Sequence, residues 1–534
     1  MTALGSQTLQ RDERRPAFLR VERSARGLRW IERLPSENEQ LAIAIAQNHD
    51  VPEILARLLA GRGVDAKTVP DYLDPTLKAL MPDPSTLQDM DAAAECLAHA
   101  IRDKRPMAVF GDYDVDGAAS VSLLRRFVRA HGHETRFYIP DRTLEGYGPS
   151  VGAFEQLIED GAELIITVDC GTASHEPIAR ARALGAEVIV LDHHQADEKL
   201  PDALAVVNPN RQDDVSGQGH LAAAGVVYLF LVATARQLRC EDWYGDENAA
   251  PDLLQWLDLA ALATVCDVVP LIGLNRALVA RGLQVMRQRR NPGLRMLADT
   301  ARLTSAPTTY HLGFVFGPRL NAGGRIGRAD LAAQLLSIED ETQIAEIAAT
   351  LESLNAERRA MQEALQEEAL SQAEANIRAC PDAAIAVAEG ERWHKGLVGL
   401  VAARLTERLS LPSLVISWDA DGTGSGSARS IPGADIGAAI RGAAEAGHVL
   451  RGGGHAMAAG FTLTQDKAEA FVAYMDDQIR AQVSLARSEA QLKLDGALMA
   501  SSATSDLMAI LDRAGPFGAG NPQPRFAFPS HRCK

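Results

Sequence analysis

The sequence predicts an α/β protein in which a doubly wound parallel-sheet domain is joined by a long helix to a smaller α/β domain. Three observations carry that prediction. Short apolar runs rich in β-branched residues, "MAVFGD" from Met107, "LIITVDC" from Leu164, "EVIVLDHH" from Glu187 and "ALAVVNP" from Ala203, alternate with stretches that suit helices, such as Ala173 to Leu184. Strands alternating with helices form parallel βαβ units, and near-continuous apolar strands are covered on both faces. Next, Ile338 to Ile377 is rich in Glu, Ala and Leu without glycine or proline, the composition of one long connecting helix. Beyond it, "AAIAVAEG" and "PSLVISWDADGTGSGSARS" read as strands and a Gly/Ser hairpin around the helix "GLVGLVAARLTERL".

In chain order the expected parts are a tail over 1–40 and a helical segment over 41–105, where "EILARLLAGRG" is the clearest helix with its glycine stop. The main α/β domain follows over 106–337, the connector over 338–377 and the second α/β domain over 378–480. A last piece over 488–534, with "AQLKLDGAL" and "GPFGAGNPQPRFAF", has room for two strands, too few for an independent β domain.

Composition narrows the class. At 534 residues, 46% hydrophobic, the chain can bury several cores. No uninterrupted apolar run reaches the roughly 18 to 20 residues of a membrane helix, and the Arg-rich start (Arg11, Arg14, Arg15, Arg20) has no apolar segment behind it, so a cytoplasmic protein without a membrane partner is expected. The six cysteines, at 96, 170, 240, 266, 380 and 533, form no C-x-x-C pair, which argues against a zinc site or a disulfide framework. The net charge of -16 argues on its face against a polyanionic partner. Much of the acid lies in Glu339 to Glu374, read as a solvated helix, and at a candidate metal site, while Arg281, Arg287, Arg289 and Arg290 remain for phosphate contact.

The acids fall where an open parallel sheet binds ligands, at the carboxyl ends of strands. Asp112 and Asp114 follow "MAVFG", Asp169 ends "LIITV", Asp192, His193 and His194 end "EVIVL", and Asp267 closes "AALATVC", itself read as a strand. One acid could be a helix cap. Four strand ends in one domain point instead to a cation site. Carboxylates with one or two imidazoles suit Mn²⁺ or Mg²⁺, and five or more ligand groups suit two ions, the arrangement that clamps both oxygens of a phosphoryl ester. Cys170 and Cys266 read as small core residues. "DYDVDG" also begins a calcium-loop pattern, but the twelfth position is Leu123 where that loop needs Glu, and a strand precedes it where that loop needs a helix.

"DYDVDG", "VDCG", "LDHH" and "CDVVPL", in that order, resemble the four motifs of the DHH phosphoesterase superfamily. The long form of the chain is similar to the RecJ family within it. "RWHKGLVGLVAARL", "SGSARSIPGADIG" and "RGGGHAMAAGF" look like the DHH-associated domain, and "GPFGAGNPQPRF" is similar to the start of the family's oligonucleotide-binding (OB) fold, here incomplete.

The resemblance implies a metal-dependent, single-stranded-DNA-specific exonuclease that runs 5′ to 3′, releases mononucleotides and works in DNA repair and recombination. It implies metal ligation by Asp112, Asp114, Asp169, His193 and Asp267, with Asp116 positioning ligands and His194 orienting or contacting a phosphate. Arg429, Arg451 and His455 would hold phosphates, the last two around an anion nest of Gly452, Gly453 and Gly454, with His455 also helping to balance transition-state charge. The motif "GPRLNAGGRIG", read as a glycine-rich loop, would add Arg319, Asn321 and Arg325. Single-stranded DNA is the implied partner, with a single-strand-binding protein and a helicase expected from the family alone. The rival reading is a small-substrate DHH phosphoesterase acting on dinucleotides, short oligonucleotides or pyrophosphate.

Overall fold

The computed structural model describes residues 15–142, 145–246 and 248–531, so that Arg11, Arg14 and Cys533 lie outside the described residues. The chain divides into a larger unit, Leu34–Asn355 with Leu498–Arg525, and a smaller one, Ala356–Ala497 with the chain through Arg33 and from Phe526 on.

In the larger unit the four apolar runs are strands β1 (Met107–Gly111), β3 (Leu164–Val168), β4 (Glu187–Leu191) and β5 (Ala205–Val207), joined at one edge by the short β2 (Arg136–Tyr138). All are parallel, in the order β2-β1-β3-β4-β5. Alternation of side chains fills two cores. Val109, Ile166, Ile189 and Val207 face one, with helices α1 (Val115–Ala130) and α2 (Ala223–Cys240), and Phe110, Ile165, Val190 and Val206 face the other, with Phe154 and Ile178. Removing a ring such as Phe110, wholly buried, costs about 3–5 kcal/mol. Among the described residues α2 alone is long and apolar enough to cross a membrane, and most of it is buried in the first core.

Two segments fold otherwise than their sequences predict. The run ending in "AALATVC" is a helix, α3 (Leu257–Cys266), and Asp267 caps its C-terminus. Eight of its ten residues are buried, and a segment apolar all round has no period by which to tell helix from strand. The Leu and Ala that dominate it favour the helix. Likewise "GPRLNAGGRIG" is no loop. It forms α4 (Gly317–Ile326), started by Pro318 in its first turn.

The predicted connector is α5 (Glu341–Ala379). Ile344, Ala348 and Leu351 belong to the core of the larger unit, and Leu365, Ala369 and Ala373 to that of the smaller. In the smaller unit β6 (Ala386–Glu391) runs parallel to β7 (Ser413–Trp418), and β8 (Thr423–Arg429), β9 (Arg451–His455) and β10 (Ala458–Thr464) complete a mixed sheet in the order β9-β10-β8-β7-β6. Helices α6 (Lys395–Leu409) and α7 (Ile436–Glu445) pack on it.

The last stretch of the chain contributes two short strand pairs. Gln491–Leu494 pairs in parallel with Arg29–Glu32, Gly496–Ala497 pairs with Phe526–Ala527, and no barrel closes among the described residues. Between them, "GPFGAGNPQP" belongs to the larger unit because its carbonyls are used there. The buried Arg276 stacks 3.7 Å over the Tyr72 ring and donates to the carbonyls of Tyr72 and Ala514, at 2.9 and 3.0 Å. Asn521 donates to the carbonyls of Ala514 and Pro516 and accepts from Arg62 Nε at 2.7 Å.

Candidate active site

The strand order 2-1-3 places a topological switch point between β1 and β3, the crevice in which open α/β sheets bind ligands. Asp112 and Asp114 leave β1, Asp169 leaves β3, and Asp192, His193 and His194 leave β4. Asp112, Asp116, Asp169 and Asp192 are all at most 5% exposed. The site residues of the larger unit therefore converge, although Asp267 arrives on a helix end.

Local bonds hold them in place. Asp114 caps α1, its Oδ1 accepting from the amides of Asp116 and Gly117 at 2.9 and 3.2 Å. Residue 117 must be glycine, because a Cβ there would strike the Asp112 carbonyl. Asp116 reaches the first turn of α2, accepting from the amides of Ala223 and Ala224 at 2.6 and 2.8 Å, two donors a helix start leaves without partners. Asp169 lies at φ +62°, its amide bonded to the Leu191 carbonyl at 3.0 Å and its carbonyl accepting from the Tyr147 hydroxyl at 2.9 Å. Val268, beside Asp267, has φ +60° although β-branched. Each such conformation costs about 1–3 kcal/mol, and this kind of strain collects at functional sites.

His193 shows what the cluster lacks. Its Nδ1 lies 2.9 Å from the Leu221 carbonyl and donates to it. That leaves Nε2 as a lone pair, 3.3 Å from Asp169 Oδ1, 3.7 Å from Asp267 Oδ2 and 3.8 Å from Asp116 Oδ2. Nε2 and Asp112 Oδ1 are buried without a hydrogen-bond partner. Acceptors facing acceptors fit a cation. Burial first, and then mutual repulsion, push the carboxyls of Asp112, Asp116 and Asp169 up and that of Asp267 to about 8. Three groups of ligand atoms lie within reach of one ion each: Asp112, Asp114 and Asp169; Asp169, His193 and His194; and Asp116, His193 and Asp267. Oxygen donors with one or two imidazoles suit Mn²⁺ or Mg²⁺. The Cys170 thiol, buried, donates to the Val168 carbonyl, and that of the half-buried Cys266 to the Leu312 carbonyl.

Asp192 fixes the two histidines. It accepts from the amides of Thr172, His193 and His194 and from His194 Nδ1, at 2.8–3.2 Å. Burial alone would raise its carboxyl, but the bonds from His194 and Thr172 hold it well below the carboxylate range. Burial likewise would lower His194, and Asp192 instead lifts it to about 9, so its imidazolium stands over the cluster. Tyr147, 3.1 Å from the same ring, and Asn208, which bonds Thr172 Oγ1 and the His194 carbonyl, escaped the reading of the sequence. The available signal for Tyr147 was a tyrosine between two glycines.

The basic residues divide. Arg319 is paired with Glu352 at 2.5 Å and donates to the Val315 carbonyl. Asn321 and Arg325 are half-buried on α4, which packs through Gly324 against the Tyr113 backbone. Arg281 pairs with Asp74 and Arg289 with Asp299, whereas Arg287 and Arg290 are exposed.

In the smaller unit "RGGGH" is the extended edge strand β9, so the three glycines are not the curled nest expected of them. Register still makes a face. His455 lies opposite Ala458, and Ala458 opposite Arg429; Gly453 lies opposite Gly460, and Gly460 opposite Ser427. Arg429 and His455 thus share one end, with Arg429 held by Ser427 Oγ and the Ala428 carbonyl. Arg451 sits four residues away, about 13 Å along the strand. Gly452 and Gly454 turn to the opposite side, Gly452 against Ile440 of α7. The result is an exposed strip bare of bulk at Gly453, with cations at both ends.

A carboxylate and imidazole cluster at the switch point of a parallel sheet, followed by a mixed-sheet unit, defines a protein of the DHH class. The DHH family, N-terminal domain, matches residues 106–264, and the DHHA1 domain matches 382–481. The chain is 36% identical over 483 residues to the single-stranded-DNA-specific exonuclease RecJ of Dickeya dadantii, covering 89% of this chain and 83% of that one. Crystal structures of RecJ from Thermus thermophilus superpose with TM-scores of 0.77 in complex with Mn²⁺ and 0.71 in complex with Mg²⁺. They are 30% and 29% identical, and cover 92% of this chain and 68% and 66% of those chains. The chain belongs to the RecJ family of single-stranded-DNA-specific exonucleases.

Proposed function

We propose that the protein hydrolyses single-stranded DNA from its 5′ end, releasing mononucleotides, with two divalent ions, Mn²⁺ or Mg²⁺, in the switch-point cluster. The observation that carries this is the pair of buried, partnerless acceptors, His193 Nε2 and Asp112 Oδ1, among carboxylates that repel one another. Asp112, Asp114, Asp169, His193 and Asp267 would hold the ions, Asp169 being shared by two of the ligand groups. Divalent ions bound there would supply Lewis-acid activation of water and neutralise charge on the phosphodiester.

The chain's own groups do the rest. Asp116 and Asp192 hold the cluster's geometry through backbone amides. The His194 imidazolium balances charge on the scissile phosphate. Arg429, Arg451 and His455 take phosphates of the strand along a face left open at Gly453 and Gly460. Polarity and product size follow from the family alone, as do a single-strand-binding protein and a helicase that supply the substrate.

The test is a product-resolved time course in Mn²⁺ on 3′-labelled single-stranded DNA, with blunt duplex and dinucleotide controls. A ladder descending from the 5′ end and absent on duplex supports the proposal. Cleavage of the dinucleotide alone places the protein with the small-substrate phosphoesterases and refutes it.

A further inference from the structure

Beside Asp267 the larger unit exposes an aromatic pair that the site above leaves unused. Tyr310 and Phe314 are 61% and 67% exposed. Their rings stack on each other, centroids 5.1 Å apart and planes 25° from parallel. They line an open groove of about 610 Å³ together with Cys266, Val268 and Phe517. All of these residues belong to the larger unit.

Two bonds key this groove to the segment around Asp267, and a third closes the groove on itself. Cys266, the neighbour of Asp267, donates its thiol to the Leu312 carbonyl at 3.3 Å. Thr309 Oγ1 donates to the Phe517 carbonyl at 2.6 Å, and the Leu271 amide to the Ala519 carbonyl at 2.8 Å. Leu312–Phe316 is a π-helical turn, a rare conformation that concentrates at functional sites. Leu312 and Phe316 are wholly buried and anchor it, so Phe314 stands out of it on a fixed base. An apolar groove that adjoins a site for a phosphodiester suits a ligand carrying a flat ring next to its phosphate.

We propose that Tyr310 and Phe314 form a stacking platform for a nucleobase of the strand being cut. This rests on the single-strand function proposed above and adds a second point of hold to it. A π-face accepts every base, so the platform grips without reading sequence.

The experiment measures anisotropy of labelled dT10, and of an equally long abasic phosphodiester strand, on the full chain with Ca²⁺ in place of the catalytic metal. The proteins are wild type, Tyr310→Ala/Phe314→Ala and Phe314→Tyr, and cleavage of the abasic strand in Mn²⁺ is measured for each. The expected result is that the double alanine variant weakens dT10 about 10- to 100-fold. It should leave binding and cleavage of the abasic strand unchanged, and Phe314→Tyr should bind dT10 as wild type does.

Equal losses on both strands, or no loss on either, overturn the platform. So does a wild-type dimer in sedimentation that Tyr310→Ala/Phe314→Ala turns into a monomer, since the groove would then seat a second copy. If wild type binds and cleaves neither strand, the function itself fails and the platform with it, a result distinct from selective indifference of the variant.

Discussion

The strand-end cluster of the larger unit and the open sheet face of the smaller one hold charge in opposite ways. The cluster removes acids from water, ties them to backbone amides and leaves their inward lone pairs without donors. The sheet face leaves Arg451 and His455 in solvent on an edge strand. Chemistry on a phosphodiester needs a field fixed in advance where water is scarce. Holding a polymer needs cations that reach it at any register and let it go. A substitution in the cluster should therefore act on kcat, and one on the face on KM and on salt dependence.

Asp169→Asn should show the largest effect. Asp169 joins two of the three ligand groups, and turnover on single-stranded DNA should fall at least about 10³-fold. Its melting temperature in EDTA should be no lower than wild type, because one of several repelling charges is gone. Wild type should gain stability from Mn²⁺, about 2.7 kcal/mol at a hundredfold excess over Kd, and the variant much less. A variant that melts early in EDTA would make Asp169 a structural residue and erase the contrast between the two regions.

Asp192→Asn sharpens the same side. It keeps the volume but loses acceptor strength toward His194 and three amides. Activity or metal affinity should fall about 10- to 100-fold, the usual cost of losing a group that orients a ligand. Full activity would mean that backbone alone positions His193 and His194.

On the smaller unit, Arg429→Ala should raise KM about tenfold with kcat little changed and lower the slope of log affinity against log salt by about one. Arg451→Ala, at the other end of β9, should do less on short strands than on long ones. An equal fall in kcat for Arg429→Ala would place this residue at the reaction itself.

How legible each region was follows from the range of its determinants. The cluster's candidate ligands lie in short local motifs at the ends of β1, β3 and β4, where a strand period and an adjacent acid suffice. Asp267 was found although its helix was misread, because an acid after an apolar run reads alike in both. The pairing of Arg319 was not legible, since its partner Glu352 is 33 residues away on another helix. The face of the smaller unit depends on which residue of β9 opposes which of β10 and β8, a register that glycine-rich strands do not declare. The place of "GPFGAGNPQP" was hidden similarly, because what holds it is Arg62 and Arg276, far upstream.

The smallest effect tests whether burial alone explains the cluster's raised carboxyls. Asp258 on α3 is 2% exposed and outside the cluster, with one bond from the Leu259 amide at 2.9 Å. Arg126, the cation bearing on it, donates instead to the Leu336 carbonyl. Burial lifts the Asp258 carboxyl to about 7. The folded state then keeps a proton that the unfolded chain releases near pH 3.9, so stability from this group is full below that value, falls as pH rises toward 7, and is flat above. Asp258→Asn carries no such loss. Its melting temperature in EDTA should match wild type near pH 4 and exceed it by several degrees at pH 8, with activity in Mn²⁺ unchanged. Parallel curves from pH 4 to 8 would show that burial in this unit does not by itself raise a carboxyl. Mutual repulsion would then be the whole cause of the shifts at Asp112, Asp169 and Asp267, and the cluster would differ from the open face by the crowding of its charges more than by their depth.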